Sequence, residues 1–386
     1  MFLRSRSYAA ALSSLVLGTV LVSAQQQGAV TPKPADAVVR AIEPPERPLP
    51  GEAESAGVTK FSFLAYGDNR ASTDGVELQH DHGLVVDAMV TKIQSLASTE
   101  SPVRFVIQSG DGVLNGRNGA ALNVSYTPLV ERLTRGAGVP FFASAGNHDV
   151  TTLPLGDPAR ALALGNMLAA HARLMPPDSS PRRLAGYPTY AFGYGHVFFI
   201  AIDSNIAADP AQLAWVTVQL EHLDRSRYRH VIAFFHHPPF SSGPHGGAGV
   251  EPQSRAIRDL YLPLFRRHHV RMTITGHDHL YDHFVERYDE KGRSLRRDDV
   301  VTGGGGAPIY LYKGEPDLQP YMAAAGESVR VQHLVTPGST AEENPHHFVV
   351  VQVDGDRLTL EIVSIGPTPL TPFGGRATIE LTDRIS

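Results

Sequence analysis

Two carboxylates, one amide and two imidazoles stand at the ends of five separate apolar runs: FSFLAYGDNR, RFVIQSGD, PFFASAGNHD, HVIAFFHHPPF and RMTITGHDH. Read as strands, these runs deliver Asp68, Asp111, Asn147, His236 and His277 to their carboxyl ends. That is where open α/β sheets gather the groups that bind ligands. The chain has no Cys, so donors converging there are oxygen and imidazole only. Such a set suits a metal centre of Mn, Fe or Zn rather than a thiolate site.

The local patterns differ in how sharply they point to a metal. Gly67-Asp68 and Gly110-Asp111 each put a carboxylate directly after a buried run, with Gly permitting a tight turn; taken singly, either Asp serves equally well as a turn or capping residue. In Gly146-Asn147-His148-Asp149, an amide oxygen is available to a hard cation, and the neighbouring His points the other way. His236-His237 ends an apolar stretch where unpartnered imidazoles would be costly to bury. In Gly276-His277-Asp278-His279, two imidazoles one residue apart point the same way from an extended backbone.

Helices are expected at 82–97, 127–136, 158–174, 210–226 and 254–268, between the apolar runs. In the fourth, Asp209 caps Pro210, and Leu213, Val216, Leu220 and Leu223 share one face. After Tyr281 strands dominate, with an Asp354-Gly355 hairpin signal. The expectation is two sheets flanked by helices rather than one doubly wound sheet.

Composition excludes some roles. At 386 residues, with 42% hydrophobic and 19% charged residues and a net charge of −5, the chain lacks the basic surface a nucleic-acid partner requires. Arg4 and Arg6, an apolar stretch at 8–22 and the small residues of Val22-Ser23-Ala24 read as a cleaved signal peptide over 1–24. Residues 25–58, rich in Pro, Ala and Glu, read as a linker, and 59–386 as the catalytic domain. The mature protein is then expected in a periplasm or outside the cell, with no membrane attachment after cleavage.

The blocks YGDNR, GDGVLNG, GNHD, HHPPFSSGPHG and GHDHLYDH, in this order, resemble the calcineurin-like metallophosphoesterases, and among them bacterial proteins similar to purple acid phosphatases. Thr302 and the glycines at 303–306 resemble the family's Gly-rich strand end. The resemblance implies a four-layer α/β/β/α sandwich carrying two metal ions. By matched position, Asp111 would bridge them, Asn147, His236 and His277 would complete one site, and Asp68 and His279 would serve the other. His236 is preferred to His237 because the family ligand stands two residues before the first Pro. His148 would approach the phosphate and leaving group, with Asp149 orienting it. Two cations about 3.5–4 Å apart would activate water and clamp the phosphate oxygens.

Two positions depart from that pattern. Arg70 stands where many members have a ligand His, and Leu114 stands where the purple subgroup has Tyr. His82, or less readily His80, would replace the missing ligand, against the alternative of an exposed histidine at a helix start. Arg70 would grip a phosphate oxygen or pair with a nearby Asp. His245 in the Gly-rich rim and Arg182-Arg183 in the 151–187 insertion are further entrance candidates, the arginines more simply a solvated face. The implied substrate is a small phosphorylated molecule, monoester or diester. The alternatives are a weakly metallated phosphate-binding protein without turnover, and an envelope interaction module with structural histidines.

Overall fold

The computed structural model describes residues 38–246, 250–366 and 378–381, all within one compact unit spanning Asp36–Ser386. The expected signal peptide and the linker up to residue 37 lie outside the described residues. In chain order the strands are β1 (Lys60–Tyr66), β2 (Val103–Gln108), β3 (Phe141–Ala143), β4 (Tyr190–Tyr194), β5 (Val197–Ala201), β6 (His230–Phe234), β7 (Met272–Thr275), β8 (Tyr281–Glu290), β9 (Arg293–Thr302), β10 (Arg330–Val335), β11 (His346–Asp354), β12 (Arg357–Ile365) and β13 (Thr378–Leu381). They form two sheets, ordered β13-β12-β11-β1-β2-β3 and β10-β8-β9-β7-β6-β5-β4.

The two sheets pack face to face. Phe61, Phe63 and Phe105 of the first meet Phe199, Ile232 and Phe234 of the second in one buried cluster. The Phe63 ring lies flat on Phe105 at 5.4 Å and meets Phe199 edge-on at 5.2 Å, an arrangement aromatic quadrupoles favour. Helices cover both outer faces. α1 (His80–Leu96) brings Val85, Val86 and Met89 onto Leu64, Tyr66 and Val106. On the other side, Val216 and Leu220 of the helix at Pro210–Glu221 cover Phe198, Ile200 and Val231. Both faces of β1 are therefore dry, which is why its sequence reads as a continuous apolar run rather than an alternation. The expected four-layer α/β/β/α sandwich is the observed fold.

The helical segment expected at 127–136 begins earlier, at residue 119, and has wide i→i+5 turns at Ala121–Tyr126 and Arg132–Gly136. A similar opening at Ile257–Tyr261 precedes Pro263 in the helical stretch 252–267. Pro128 and Pro263 each lack an N–H and crowd the carbonyl four residues back, so the preceding turn widens.

The expectation of a free linker to residue 58 is corrected over its described part. Ile42 is fully buried among Leu64, Leu133 and Ala170, and its N–H donates to Ala170 O at 2.8 Å. Arg40 grips Glu131 at 2.6 and 2.8 Å, and Glu52 joins Arg182 and Tyr228. The Pro-rich composition reflects an extended strap laid on the domain rather than a tether. Arg182 and Arg183 are not at an entrance: the first holds this strap, and the second pairs with Asp178 at 3.0 Å and Pro176 O at 3.0 Å.

Candidate metal centre

Asp68, Asp111, Asn147, His236 and His277 all lie just beyond the carboxyl ends of β1, β2, β3, β6 and β7, and they meet. Asp68, Asp111 and His236 offer donor atoms within 4.8 Å of one another. His236 Nε2 lies 2.9 Å from Asn147 Oδ1, 3.1 Å from His277 Nδ1 and 3.4 Å from Asp111 Oδ1. His279 Nε2 lies 3.6 Å from Asp68 Oδ1.

The turns that make this possible are strained. Asp68, Asp111 and His277 adopt left-handed φ of 57°, 55° and 71°, at a cost of order 1 kcal/mol or more each. The preceding glycines serve mainly to let the strand ends close on one another. A Cβ at Gly276 would sit 2.0 Å from Asp68 Oδ2, and one at Gly146 would sit 2.1 Å from Asp111 Oδ1. The N–H of His277 donates to Asp68 Oδ2 at 2.8 Å, and that of His148 to Asp111 Oδ1 at 2.9 Å. These bonds fix both carboxylates.

Each imidazole has one nitrogen anchored, which sets the tautomer and leaves the other facing inward. His236 Nδ1 donates to Ser109 O at 3.0 Å, His279 Nδ1 to Pro308 O at 2.7 Å, and His148 Nδ1 to Leu114 O at 2.8 Å. His277 instead uses Nε2, which donates to Glu251 Oε2 at 2.8 Å. Tyr310 lies flat on His279 at 4.0 Å between ring centres.

The electrostatics follow from burial and crowding. Burial pushes Asp68 up to about 8, aided by the neighbouring charge of Asp111. Burial also acts to raise Asp111, but His236 outweighs it and holds that carboxyl well below the usual range. Burial drives His277 down to about 4 and His279 to about 3, keeping both in the neutral form that donates a lone pair. Asp68 Oδ1 is buried with no hydrogen-bond partner. Burial opposes charge on His236, but Asp111 and Asp68 beside it push it up to about 9, so a cation at its Nε2 would take the place of a proton; with the crowded carboxylates, the orphaned carboxylate oxygen and the neutral His277 and His279, the cluster fits cations.

Several sequence expectations change here. His82 is not a ligand: it is fully buried, with Nδ1 2.7 Å from Gln79 Oε1 and Nε2 3.0 Å from Tyr66 Oη and Asn69 Nδ2. Both nitrogens are committed to a polar web beneath the site, so it is not an exposed helix-start histidine either. Asp149 does not orient His148. Its carboxylate accepts from the N–H groups of Asp111, Gly112, Val113 and Gly146 at 2.8–3.3 Å and so shapes the Asp111 turn. Arg70 Nε lies 3.7 Å from Asp111 Oδ2, at the edge of the cluster. His237 Nδ1 is engaged by Ser204 Oγ at 2.8 Å; it also groups with Glu251 and His277, but Glu251 is already taken up by His277 and His245.

Sequence reasoning missed Glu251 and Tyr310. Glu251 precedes Pro252 at a helix start, so its only local signal was that of a helix end.

Comparisons with known proteins agree with this geometry. The family described as calcineurin-like phosphoesterase matches residues 85–281, just over half of the chain. Purple acid phosphatase 21 of Arabidopsis thaliana is 24% identical over 184 residues, covering 47% of this chain and 39% of that protein. Purple acid phosphatase 22 of the same plant is 23% identical over an equal span. The solved purple acid phosphatase from yellow lupin (Lupinus luteus) seeds superposes with a TM-score of 0.58 at 15% identity, covering 84% of this chain and 54% of that one. The chain thus spans about two fifths of the curated relatives it matches. With this family match, and with the blocks around Asp111, Asn147, His236 and His277 inside the matched region, the chain belongs to the calcineurin-like phosphoesterase family.

Proposed function

We propose that the protein hydrolyses small phosphate esters with two metal ions held by Asp68, Asp111, Asn147, His236, His277 and His279. The observation that carries this reading is the convergence of carboxylate, amide and imidazole donors around Asp111, with each imidazole anchored from behind. Two cations, when bound, supply Lewis-acid activation of water and neutralise charge on the phosphoryl group. The chain's own residues do the rest. His148 keeps its Nδ1 proton on Leu114 O and turns Nε2 toward the site, 3.9 Å from Asp111 Oδ2, where it can deliver a proton to the leaving oxygen. Arg70, only 13% exposed at its side chain, offers its planar donors to a phosphate oxygen.

Arg70 in place of a ligand histidine and Leu114 in place of Tyr leave the metal beside Asp68 with fewer protein ligands. They favour divalent ions over an iron–tyrosinate pair, and the second reading they support is a phosphate-binding protein without turnover. Export is part of the proposal. It rests on residues 1–24, and sequencing the N-terminus of the mature protein for a start at Gln25 tests it. Among the described residues no helix is long and apolar enough to cross a membrane.

The catalytic reading is tested with 4-nitrophenyl phosphate and its bis ester, with Asp111→Asn as the inactive control. Turnover of either ester that Asp111→Asn loses supports hydrolysis. Equal rates in both proteins contradict it.

A further inference from the structure

Arg70 and His148, the side chains proposed to meet the phosphate and the leaving oxygen, sit on different segments and share one support. Arg70 lies on the loop between β1 and α1, and His148 follows β3. Asp74, farther along the Arg70 loop, is bonded toward both. Its Oδ2 accepts from the N–H of Leu114 at 2.7 Å, and Leu114 O in turn accepts the Nδ1 proton of His148 at 2.8 Å. Its Oδ1 accepts from the N–H of Ala71, next to Arg70, at 3.3 Å. Buried Gln79 braces the carboxylate, with Nε2 3.3 Å from each oxygen and 2.8 Å from Gly112 O.

The turn after β2 gives four successive N–H groups to two carboxylates. Asp149 takes those of Asp111, Gly112 and Val113, and Asp74 takes that of Leu114. The first carboxylate shapes the turn of a candidate metal ligand; the second holds the residue to which His148 is tied. Leu114, whose side chain has no donor atom, serves the site through its backbone. Arg70 Nε is buried with no hydrogen-bond partner and stands 3.7 Å from Asp111 Oδ2. The placement of its guanidinium therefore leans on the backbone, where the N–H of Arg70 donates to Asp111 O at 3.2 Å and that of Ala71 to Asp74.

We infer that Asp74 is a positioning residue for phosphate-ester hydrolysis: through Leu114 it aims His148 at the leaving oxygen, and through Ala71 it steadies Arg70 for the phosphate. The inference rests on the catalytic reading above, and it gives Asp74 no contact with substrate or metal. The Leu114 bond is the shorter of the two links, so proton delivery should depend on Asp74 more than the grip on phosphate does.

The test compares ethyl phosphate, whose leaving oxygen needs a proton, with 4-nitrophenyl phosphate, whose leaving group does not, in the full chain loaded with metal. Asp74→Ala should keep its metal and lose about 10- to 100-fold in kcat on ethyl phosphate, against less than about threefold on the nitrophenyl ester. KM should rise about 2- to 5-fold on both esters as Arg70 loosens. In a His148→Ala background the same substitution should change kcat on ethyl phosphate by less than about twofold, because the group it positions is gone. Asp74→Asn keeps one acceptor for Leu114 and sets an amide N–H against that of Ala71, so it should hold kcat near native and raise KM. Equal kcat losses on the two esters, additive losses with His148→Ala, or native constants in both Asp74 variants overturn the inference. Binding of inorganic phosphate separates it from the catalytic reading. Weaker phosphate binding by Asp74→Ala, with no ester turned over by the native protein, sinks hydrolysis and keeps the hold of Asp74 on Arg70. Native phosphate binding by Asp74→Ala, with both esters turned over at native rates, does the reverse.

Discussion

Glu251 joins a rim histidine to a candidate metal ligand: its Oε2 lies 2.8 Å from His277 Nε2 and its Oε1 lies 2.8 Å from His245 Nδ1. The carboxylate fixes the His277 tautomer with Nδ1 inward. Glu251→Gln can present its single acceptor oxygen to only one imidazole. Metal affinity should fall about 10- to 100-fold, read by competition against a chelator. Unchanged affinity would show that the centre does not depend on this support.

His148 touches the site through Nε2 but takes no place in the carboxylate and imidazole cluster. His148→Ala should therefore keep its metal and lose about 10²- to 10⁴-fold in kcat on alkyl phosphates. The loss should be much smaller on 4-nitrophenyl phosphate, whose leaving group needs no proton. Equal losses on both substrates would contradict proton donation.

Ile42 distinguishes a strap from a linker. It is fully buried against Leu64, Leu133 and Ala170, so Ile42→Ala should cost about 2–5 kcal/mol in denaturant unfolding. A free linker would lose nothing.

His333 supplies a stability switch far along the chain. Burial opposes its charge, but hydrogen bonds to Asp282 and Glu315 push it up to about 9 from an ordinary 6.5. A raised value means the stabilisation is complete below pH 6.5 and fades as pH rises through 9. Asp282 also binds the N–H and hydroxyl of Ser242, at the base of the rim loop. Between those limits stability should fall by up to about 1.4 kcal/mol per pH unit more steeply in the native protein than in His333→Gln. Parallel curves would remove His333 from the account.

The fold was legible where burial on both faces wrote continuous apolar runs, as in β1 and β6, and the site was legible because its donors end those runs. The helix expected at 127–136 starts instead at residue 119, with Pro128 inside a helical segment whose turns widen to accept it. His82 was read as a replacement metal ligand, with an exposed helix-start histidine as the alternative, and fits neither, because Tyr66, Gln79 and Asn69 take up both of its nitrogens in a buried web that only tertiary packing creates. Asp149 was found, but for the wrong partner: a carboxylate beside a histidine in sequence here serves four backbone N–H groups across the turn. Glu251 and Tyr310 reach the site only through tertiary packing, which no local pattern records.

The most direct test is the metal content of the purified protein measured alongside ester hydrolysis before and after chelation. The account predicts about two ions per chain, activity lost with the chelator, and activity restored by Mn, Fe or Zn. One ion or none, with no turnover of mono- or diester after reconstitution, would contradict it and leave a phosphate-binding protein.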